Sequence, residues 1–453
     1  MYQEVEEVNN NDSGGQQHQK DDTAAMETAT QQLLLRPTKS EVKSCQFSTW
    51  YPTFRNISKS SITSNTTSYK FRKHVTIESN IIRPLPQEFI EYLLSDGVRL
   101  SSCAQRVSSC MKDDTTTGNG DDNDGWDDSD DEANSNDDDN DSNNEEIKQY
   151  NFPELTEQIQ TTLQILGGDG ERCNLGCMPK LNWSSPKDAT WINCGTLKCT
   201  KVGDVYLLLK SSEFVSFDLE SAWDDLEPEI AAEAEADEGS DESGKPPIDF
   251  EYELVLRKWC NLHPSMEFRC FIYDHELVAI SQRHPSKFYS HLQLSEEDDE
   301  IHPTTDIIHA FYETYVQHRF ASGKMHRFVI DVYVDSQERT WIVDFNVWGK
   351  RTDSLLFEWA ELMEIGERVR ELKKDGSSNN SDENGGEDNA AIPMPELRVV
   401  TKDMKDLTYD PLSSFRGPTD VMNLMGGGND DGGGFEASSF KHFMEQCVRP
   451  SEM

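Results

Sequence analysis

Apolar residues recur along this chain at two spacings, which separate predicted helices from predicted strands. A spacing of three or four positions predicts amphipathic helices in PLPQEFIEYLLSDG, FPELTEQIQTTLQILGG, TTDIIHAFYETYVQHRF and DSLLFEWAELMEIGERVREL. Runs rich in Val, Ile, Phe and Tyr predict strands in VYLLLKSS, FEYELVLRKW, MEFRCFIYDHELVAISQR, HRFVIDVYVD and TWIVDFNVW. Several of these strands are separated only by short turns, so we expect antiparallel hairpins and an α+β fold.

Acidic and polar segments interrupt these patterns and divide the chain. The densest one, KDDTTTGNGDDNDGWDDSDDEANSNDDDNDSNNEE, cannot bury a core because its like charges repel each other. We therefore predict a disordered tail over 1–42, acidic disordered inserts over 112–148 and 220–247, and a mostly flexible region over 373–453. Ordered structure is expected over 43–111, 149–219 and 248–372.

The charge balance narrows the possible partners. The 453 residues include 42 basic and 85 acidic ones, which gives a net charge of −43 and argues against nucleic acid or an anionic membrane as a partner. The chain has no 18-residue apolar run, and its first residues, MYQEVEEVNN, do not resemble a signal peptide, so we expect a cytoplasmic protein. We also expect a monomer. The ten cysteines form no CxxC pair, and reduced thiols are expected.

Carboxylates stand inside two of the predicted strands. Asp331 lies in one strand, and Asp344 and Asn346 lie in the next, two positions apart and therefore on one face. In an antiparallel pair Asp331 can lie opposite or diagonal to Asp344. Such a cluster of oxygen ligands suits Mg²⁺. The alternative is a pair of strand-end aspartates that are solvated or paired with arginine.

Basic residues also lie in or at the ends of predicted strands, although the chain is acidic. They are Lys180, Lys210, Arg257, Lys258, Arg269 and Arg283. Each alone would usually be a solvated side chain, but together they suggest a pocket for a polyanion such as a nucleoside triphosphate with Mg²⁺. The sequence lacks the GxxxxGK[ST] motif of P-loop proteins and the HRD and DFG motifs of protein kinases.

Seven blocks of the chain, in order, closely resemble the cell division cycle protein 123 homologue family. They are CQFSTWYP, PKLNWSSPKDATWI, LLLKSSEF, YELVLRKWCNLHPSMEFRCF, ISQR, VIDVYVD and WIVDFNVWGKRTDSLLFEW. The resemblance implies a two-lobed ATP-grasp fold that binds ATP and Mg²⁺, with 43–111 and 149–219 in the N-terminal lobe and 248–372 in the C-terminal lobe. It also implies a factor that assembles eukaryotic translation initiation factor 2 by holding the C-terminal domain of its gamma subunit.

The resemblance further implies roles for individual residues. Lys180 and Lys210 would be phosphate-facing lysines, with Trp183, Ser185 and Lys187 in a loop near the nucleotide. Leu256, Arg257, Lys258 and Trp259 would form a hinge whose backbone meets adenine. Arg269 and Arg283 would face phosphates, and Asp331, Asp344 and Asn346 would hold Mg²⁺. No residue is implied as catalytic.

One departure from the family pattern follows the metal ligands, where Val347 and Trp348 replace the usual proline and phenylalanine. Two other functions stay open. One is an ATP-grasp ligase that activates a carboxylate as an acyl phosphate, for which the sequence identifies neither an acceptor pocket nor a nucleophile. The other is an acidic scaffold with a vestigial site, against which the intact Lys180, Asp331, Asp344 and Asn346 argue.

Overall fold

The computed structural model describes residues 35–61, 71–97, 150–167, 176–227, 246–247, 250–293, 302–378, 393–402 and 404. Among them, two short helices begin the chain: α1 (Lys39–Cys45) and α2 (Phe47–Arg55). The Thr38 side chain accepts from the Glu41 amide while the Glu41 carboxylate accepts from the Thr38 amide, and this capping box starts α1.

A three-stranded antiparallel sheet forms one half of the molecule. Its strands β1 (Ser79–Ile82), β2 (Cys177–Leu181) and β3 (Leu254–Lys258) lie in the order β1-β3-β2. One face packs Leu254 and Leu256 into a core with three helices, α3 (Gln87–Leu94), α4 (Pro153–Gly167) and α5 (Val202–Lys210). Helix α6 (Glu213–Glu220) follows α5. The opposite face carries Lys180, Val255 and Arg257, since side chains alternate along a strand.

A five-stranded sheet forms the other half. Strands β4 (Glu267–Tyr273), β5 (Glu276–Gln282), β6 (Arg327–Val334), β7 (Thr340–Val347) and β8 (Glu396–Arg398) lie in the order β7-β6-β4-β5-β8. All neighbouring pairs are antiparallel except β5 and β8. Helix α7 (Pro303–Phe311) continues into a π-helical turn (Tyr312–Val316), and α8 (Trp359–Ser378) follows the last hairpin.

The two faces of the five-stranded sheet bury different layers. One face packs Ile330 and Phe345 into a core that includes Phe47, Trp50 and Phe54 of α2. The other face packs Phe271 and Val329 against α8 and against Trp348 and Phe357. Beyond this apolar patch the second face turns polar, and the aspartates lie there.

A β-bulge aims the carboxylate of Asp344. Asp331 pairs with Asp344 and Val332 pairs with Ile342, so Val343 is an extra residue in β7. Without it, Asp344 would share the core-facing side of Ile342, because side chains alternate faces. The bulge turns Asp344 and Asn346 to the polar side while Phe345 stays in the core.

The α+β fold class predicted from the sequence is confirmed, with the strands divided between two sheets. The ATP-grasp assignment that the resemblance implies stays a prediction. The described residues also correct several details. The segment VYLLLK is helix α5 and not a strand, because its apolar residues are buried on all sides and give no period that separates helix from strand. The predicted tail over 1–42 ends too late, since Leu35 is buried and α1 begins at Lys39.

The predicted flexible regions are also ordered in part. Ala222 and Trp223 are buried within the predicted insert over 220–247, and β8 lies within the region over 373–453. Cys194 is disulfide-bonded, against the expectation of reduced thiols, whereas Cys45, Cys177, Cys199, Cys260 and Cys270 are free. The insert over 112–148 and most of the two terminal regions lie outside the described residues. No described helix combines the length and the apolar character needed to cross a membrane.

Candidate functional site

The candidate site begins as a row of residues across four strands of the larger sheet. Ser281 pairs with Arg269, Arg269 pairs with Asp331, and Asp331 pairs with Asp344. Directly opposed residues on neighbouring strands project from one face. The prediction that Asp331 and Asp344 lie within reach of each other is therefore confirmed by the register.

Asp331 is held by a two-pronged contact from Arg269. Arg269 Nε and Nη2 donate to the two carboxylate oxygens at 2.7 and 2.8 Å, and its Nη1 donates to the Asp353 carbonyl at 2.7 Å. Arg283 Nε lies 3.4 Å from Asp331 Oδ2. Burial alone would raise the pKa of Asp331, but Arg269 and Arg283 lower it well below its ordinary value. Asp331 is thus a carboxylate anion surrounded by positive charge.

Lys187 adds a further cation to this group. Burial lowers the pKa of its ammonium to about 8, and the positive charge of Arg283 acts in the same direction. Glu267 and Asp331 act against this shift. The Lys187 amine makes no hydrogen bond within the described part of the chain, so it remains available to an anion.

Lys180 crosses from the smaller sheet to the larger one. Its Nζ lies 2.6 Å from Asp344 Oδ2 and also donates to the Trp183 carbonyl. Lys180 is 1% exposed, whereas the Asp344 side chain is 17% exposed. A ligand can therefore reach this ion pair only at Asp344.

Arg257 and Asn346 bury polar atoms that have no partner among the described residues. Arg257 is buried over the ring of Phe47, 5.3 Å from the ring centre, and its Nε and Nη2 lack hydrogen-bond acceptors. Burial lowers the pKa of Arg257, and the negative charge of Asp344 partly opposes the shift. Asn346 Nδ2 is buried and unpaired as well. Buried polar groups are normally satisfied, and a ligand that supplied acceptors at this point would satisfy these atoms.

The residues fit Mg²⁺ only as part of a larger coordination shell. No three His, Cys, Asp or Glu side chains in the described ranges cluster closely enough to hold a metal. Asp331, Asp344 and Asn346 do share one face of β6 and β7. Mg²⁺ usually takes one or two protein carboxylates and completes its shell with phosphates and water. The donor set therefore fits a metal that arrives with a phosphorylated ligand.

Lys210 does not belong to this site, which corrects its predicted phosphate-facing role. Its Nζ donates to the carbonyls of Tyr92 and Leu93 at 2.5 and 3.2 Å, and to the Ser95 carbonyl and hydroxyl. The last carbonyls of a helix lack partners within the helix, and a cation there satisfies them. Lys210 stabilises the end of α3.

The predicted adenine hinge is part of a central strand. Leu256 and Arg257 lie in β3, which is paired with β1 on one side and β2 on the other. The amides of Lys258 and Trp259 donate to the carbonyls of Glu78 and Gly176. These two amides are thus engaged within the protein, and the predicted contact of this segment with adenine stays a prediction.

The loop after Lys180 contains the other predicted residues. Trp183 stacks on Phe250 with ring centres 5.7 Å apart, and its Nε1 donates to the Val42 carbonyl at 2.9 Å. Ser185 and Lys187 are partly buried and lie farther along this loop. Trp183 thus anchors the loop, and Lys187 is the loop side chain close to Asp331.

Val347 and Trp348, which depart from the family pattern, point into apolar surroundings. Val347 is the last residue of β7 and lies in the core. The ring centre of Trp348 lies 5.0 Å from that of Trp359 and 5.6 Å from that of Tyr273. The next residue, Gly349, has φ +103°, and a Cβ there would lie 2.1 Å from the Leu35 carbonyl oxygen. Both departing side chains are thus accommodated in apolar packing.

Sequence reasoning missed Asp218 and Glu267. Asp218 is buried on α6 and accepts hydrogen bonds from the loop after Lys180. Glu267 lies at the start of β4 within the field of Lys187, Arg283 and His284. An acid flanked by apolar residues, as in VSFDLE and SMEFRC, is a weak signal, and the tertiary fold is needed to show what it faces.

Comparison with known proteins places the chain in a family. The family model described as D123 matches residues 68–425. The chain belongs to the D123 family. A D123-type relative from Danio rerio, named translation initiation factor eIF2 assembly protein, is 37% identical over 391 residues, which cover 86% of this chain and 90% of that protein.

Two further similar proteins are named cell division cycle protein 123, the family that the sequence motifs resemble. Cell division cycle protein 123 of Phaeosphaeria nodorum is 35% identical over 319 residues, 65% of this chain and 74% of that protein. The solved structure of C-terminally truncated Cdc123 from Schizosaccharomyces pombe is 28% identical and covers 81% of this chain and all of that chain, with a TM-score of 0.48. The family resemblance inferred from the sequence is confirmed.

Proposed function

We propose that this chain binds ATP with Mg²⁺ and acts as an assembly factor for eukaryotic translation initiation factor 2. One observation carries the nucleotide part of the proposal. Cationic side chains from both sheets converge on a pair of aspartates within a strongly acidic chain: Lys180 from β2, and Arg269 and Arg283 from the larger sheet. A triphosphate with its metal matches both signs of charge.

Each group has a specific task in this proposal. Lys187, Arg269 and Arg283 bind phosphate oxygens, and the unpaired donors of Arg257 do the same from the smaller sheet. Asp331, Asp344 and Asn346 hold Mg²⁺. When bound there, the metal would neutralise phosphate charge. Lys180 donates to Asp344 in the free protein and joins the two sheets around the ligand.

The assembly part of the proposal comes from the relatives. The Danio rerio relative is named for assembly of eIF2. We extend this role to the present chain and propose that it holds the C-terminal domain of the gamma subunit, as a cytoplasmic monomer, in support of translation initiation and cell-cycle progression. In this role the chain acts as an assembly chaperone without a ligase reaction.

Calorimetric titration of Mg-ATP tests the proposal. Wild type should bind, and Asp344→Ala should lose at least about 10-fold in affinity because it loses a metal ligand. Asp335→Asn is the matched control, because Asp335 lies in the β6–β7 turn and bonds to Arg339 and Trp341 away from the site. Its affinity should equal that of wild type.

Each half of the proposal can fail separately. A wild-type chain that gives no binding signal with Mg-ATP overturns the nucleotide part. A purified gamma subunit that is not retained by the wild-type chain, with or without Mg-ATP, overturns the assembly part. ADP release that requires a small-molecule carboxylate and acceptor would instead establish a ligase.

A further inference from the structure

The loop that follows Lys180 is fastened at two points to one short helix. The Asp188 carboxylate accepts from Ser212 Oγ at 2.6 Å and from the Glu213 amide at 2.6 Å, at the start of α6. Asp218, near the end of α6, accepts from the opposite end of the same loop. Helix α6 thus holds the stretch 183–188 from both sides.

All hydrogen bonds of the Asp218 side chain to described residues go to one turn, at Trp183 and Ser184. Its Oδ2 accepts from the amides of Trp183 and Ser184 at 3.2 and 2.8 Å, and its Oδ1 accepts from Ser184 Oγ at 2.8 Å. The side chain is buried and forms no ion pair with a described Lys, Arg or His, although the positive charge of Lys180 acts on it from a longer distance. A buried carboxylate without a paired cation is costly. Burial raises its pKa to about 7, which agrees with that cost.

The turn that Asp218 holds also carries an acceptor for Lys180. Leu181 and Ser184 exchange backbone hydrogen bonds at 2.8 Å in each direction, with Asn182 at φ +20° between them. The Trp183 carbonyl in this turn accepts from Lys180 Nζ. The same Nζ lies 2.6 Å from Asp344 Oδ2. A continuous chain of contacts therefore leads from Asp218 through the turn to Lys180 and Asp344.

We propose that Asp218 is the positioning residue for Lys180: its hydrogen bonds fix the Trp183 carbonyl, which holds the ammonium group at Asp344 in the nucleotide site. The role depends on hydrogen-bond acceptance, because the direct partners are two amides and a hydroxyl. The Asp218→Asn variant below separates this acceptance from the charge interaction between Asp218 and Lys180. This inference rests on the proposed ATP site, but its structural part can be tested without nucleotide.

Affinity for Mg-ATP, measured by calorimetry on the full chain, gives the first test. Asp218→Ala should weaken binding by about 10-fold, since the turn loses its acceptors. Asp218→Asn keeps an acceptor for the amides and a donor for Ser184 Oγ, so it should stay within about 2-fold of wild type. If Asp218→Ala does not fold, Ser184→Ala, which removes one of the three bonds, should weaken binding by about 3-fold.

Asp204 provides the matched control. It is also a buried carboxylate that accepts from two amides, those of Thr200 and Lys201 at 2.9 and 3.1 Å, but it does so at the start of α5. Asp204→Ala should lower the melting temperature and leave the affinity for Mg-ATP unchanged. Equal affinity losses in Asp204→Ala and Asp218→Ala would show a general stability effect and overturn the proposal, as would an Asp218→Asn variant as weak as Asp218→Ala.

Ligand-free crystal structures separate this inference from the proposed function. The contact between Lys180 Nζ and Asp344 Oδ2 should persist in Asp218→Asn and break in Asp218→Ala. An intact contact in Asp218→Ala overturns the positioning role, whatever the chain binds. A wild-type chain that does not bind Mg-ATP overturns the proposed function and leaves the structural part to be decided by these two variants.

Discussion

Lys180 and Asp344 join the two sheets through one short ion pair, with Lys180 Nζ 2.6 Å from Asp344 Oδ2. The lysine is fully enclosed and the aspartate keeps one open side. An enclosed ammonium without its carboxylate is more costly than an accessible carboxylate without its ammonium. The two partners of this pair should therefore respond differently to substitution.

Substitution of either partner is expected to lower stability by unequal amounts. Asp344→Asn should lower the free energy of unfolding by about 2–3 kcal/mol, because it leaves Lys180 buried without a counter-charge, and Lys180→Met by about 1–2 kcal/mol. The double variant should lose less than the sum of the two. Urea unfolding of the four proteins measures this coupling, and strictly additive losses would show that the pair does not interact.

Arg257→Met should separate stability from ligand binding. Arg257 is buried with two unpaired donor atoms, so an apolar replacement of similar length should raise the free energy of unfolding of the ligand-free chain by about 1–2 kcal/mol. The same variant should bind Mg-ATP at least about 10-fold more weakly. Urea unfolding and calorimetry check the two halves, and a destabilised variant with normal affinity would assign Arg257 to structure alone.

Lys210 and Lys187 should respond differently to substitution, because Lys210 binds carbonyls at a helix end and Lys187 lies beside Asp331. Lys210→Met should lower the free energy of unfolding by about 1–2 kcal/mol, because several carbonyls at the end of α3 lose their donor. Its affinity for Mg-ATP should be unchanged. Lys187→Met should instead weaken nucleotide binding and retain stability. A weak-binding Lys210→Met variant would restore its predicted phosphate role.

The raised pKa of Asp218 predicts that the stability of the chain depends on pH. Its pKa is raised by burial from 3.8 to about 7, so between these values the folded chain binds more protons at this group than the unfolded chain. Its contribution to the free energy of unfolding therefore falls as pH rises from about 4 to about 7. Asp218→Asn removes this titration. Between about pH 4 and about pH 7 the free energy of unfolding of wild type should therefore fall relative to that of Asp218→Asn. If the two free energies keep a constant difference across this pH range, the prediction is wrong.

Local sequence patterns are sufficient to predict the strands of the larger sheet and the shared face of its acidic residues. The alternation around Asp331, Asp344 and Asn346 gave the correct face because short hairpins fix the partner strands. The bulge at Val343 was not predictable, since a single extra residue leaves no local pattern in TWIVDFNV. The position of Arg269 beside Asp331 likewise depends on strand register, because the two residues are 62 positions apart in the chain.

Residues whose role depends on distant contacts were harder to interpret. Lys210 follows an apolar run in the same way as Lys180, and only the tertiary fold shows that it faces the end of α3. The apolar run before it is buried on all sides, so it has no period that separates helix from strand. Asp218 could not be distinguished from a solvated helix acid, because its partners lie 34 and 35 residues earlier.

The two helices at the start of the described chain limit how this protein can be shortened. Phe47, Trp50 and Phe54 of α2 cover one face of the larger sheet, and the ring of Phe47 lies beneath Arg257. The family match begins only at residue 68. A fragment cut at that boundary would lose both the cover of the sheet and the support of the buried guanidinium. When this chain is shortened for study, the region matched by the family model is therefore smaller than the unit that folds.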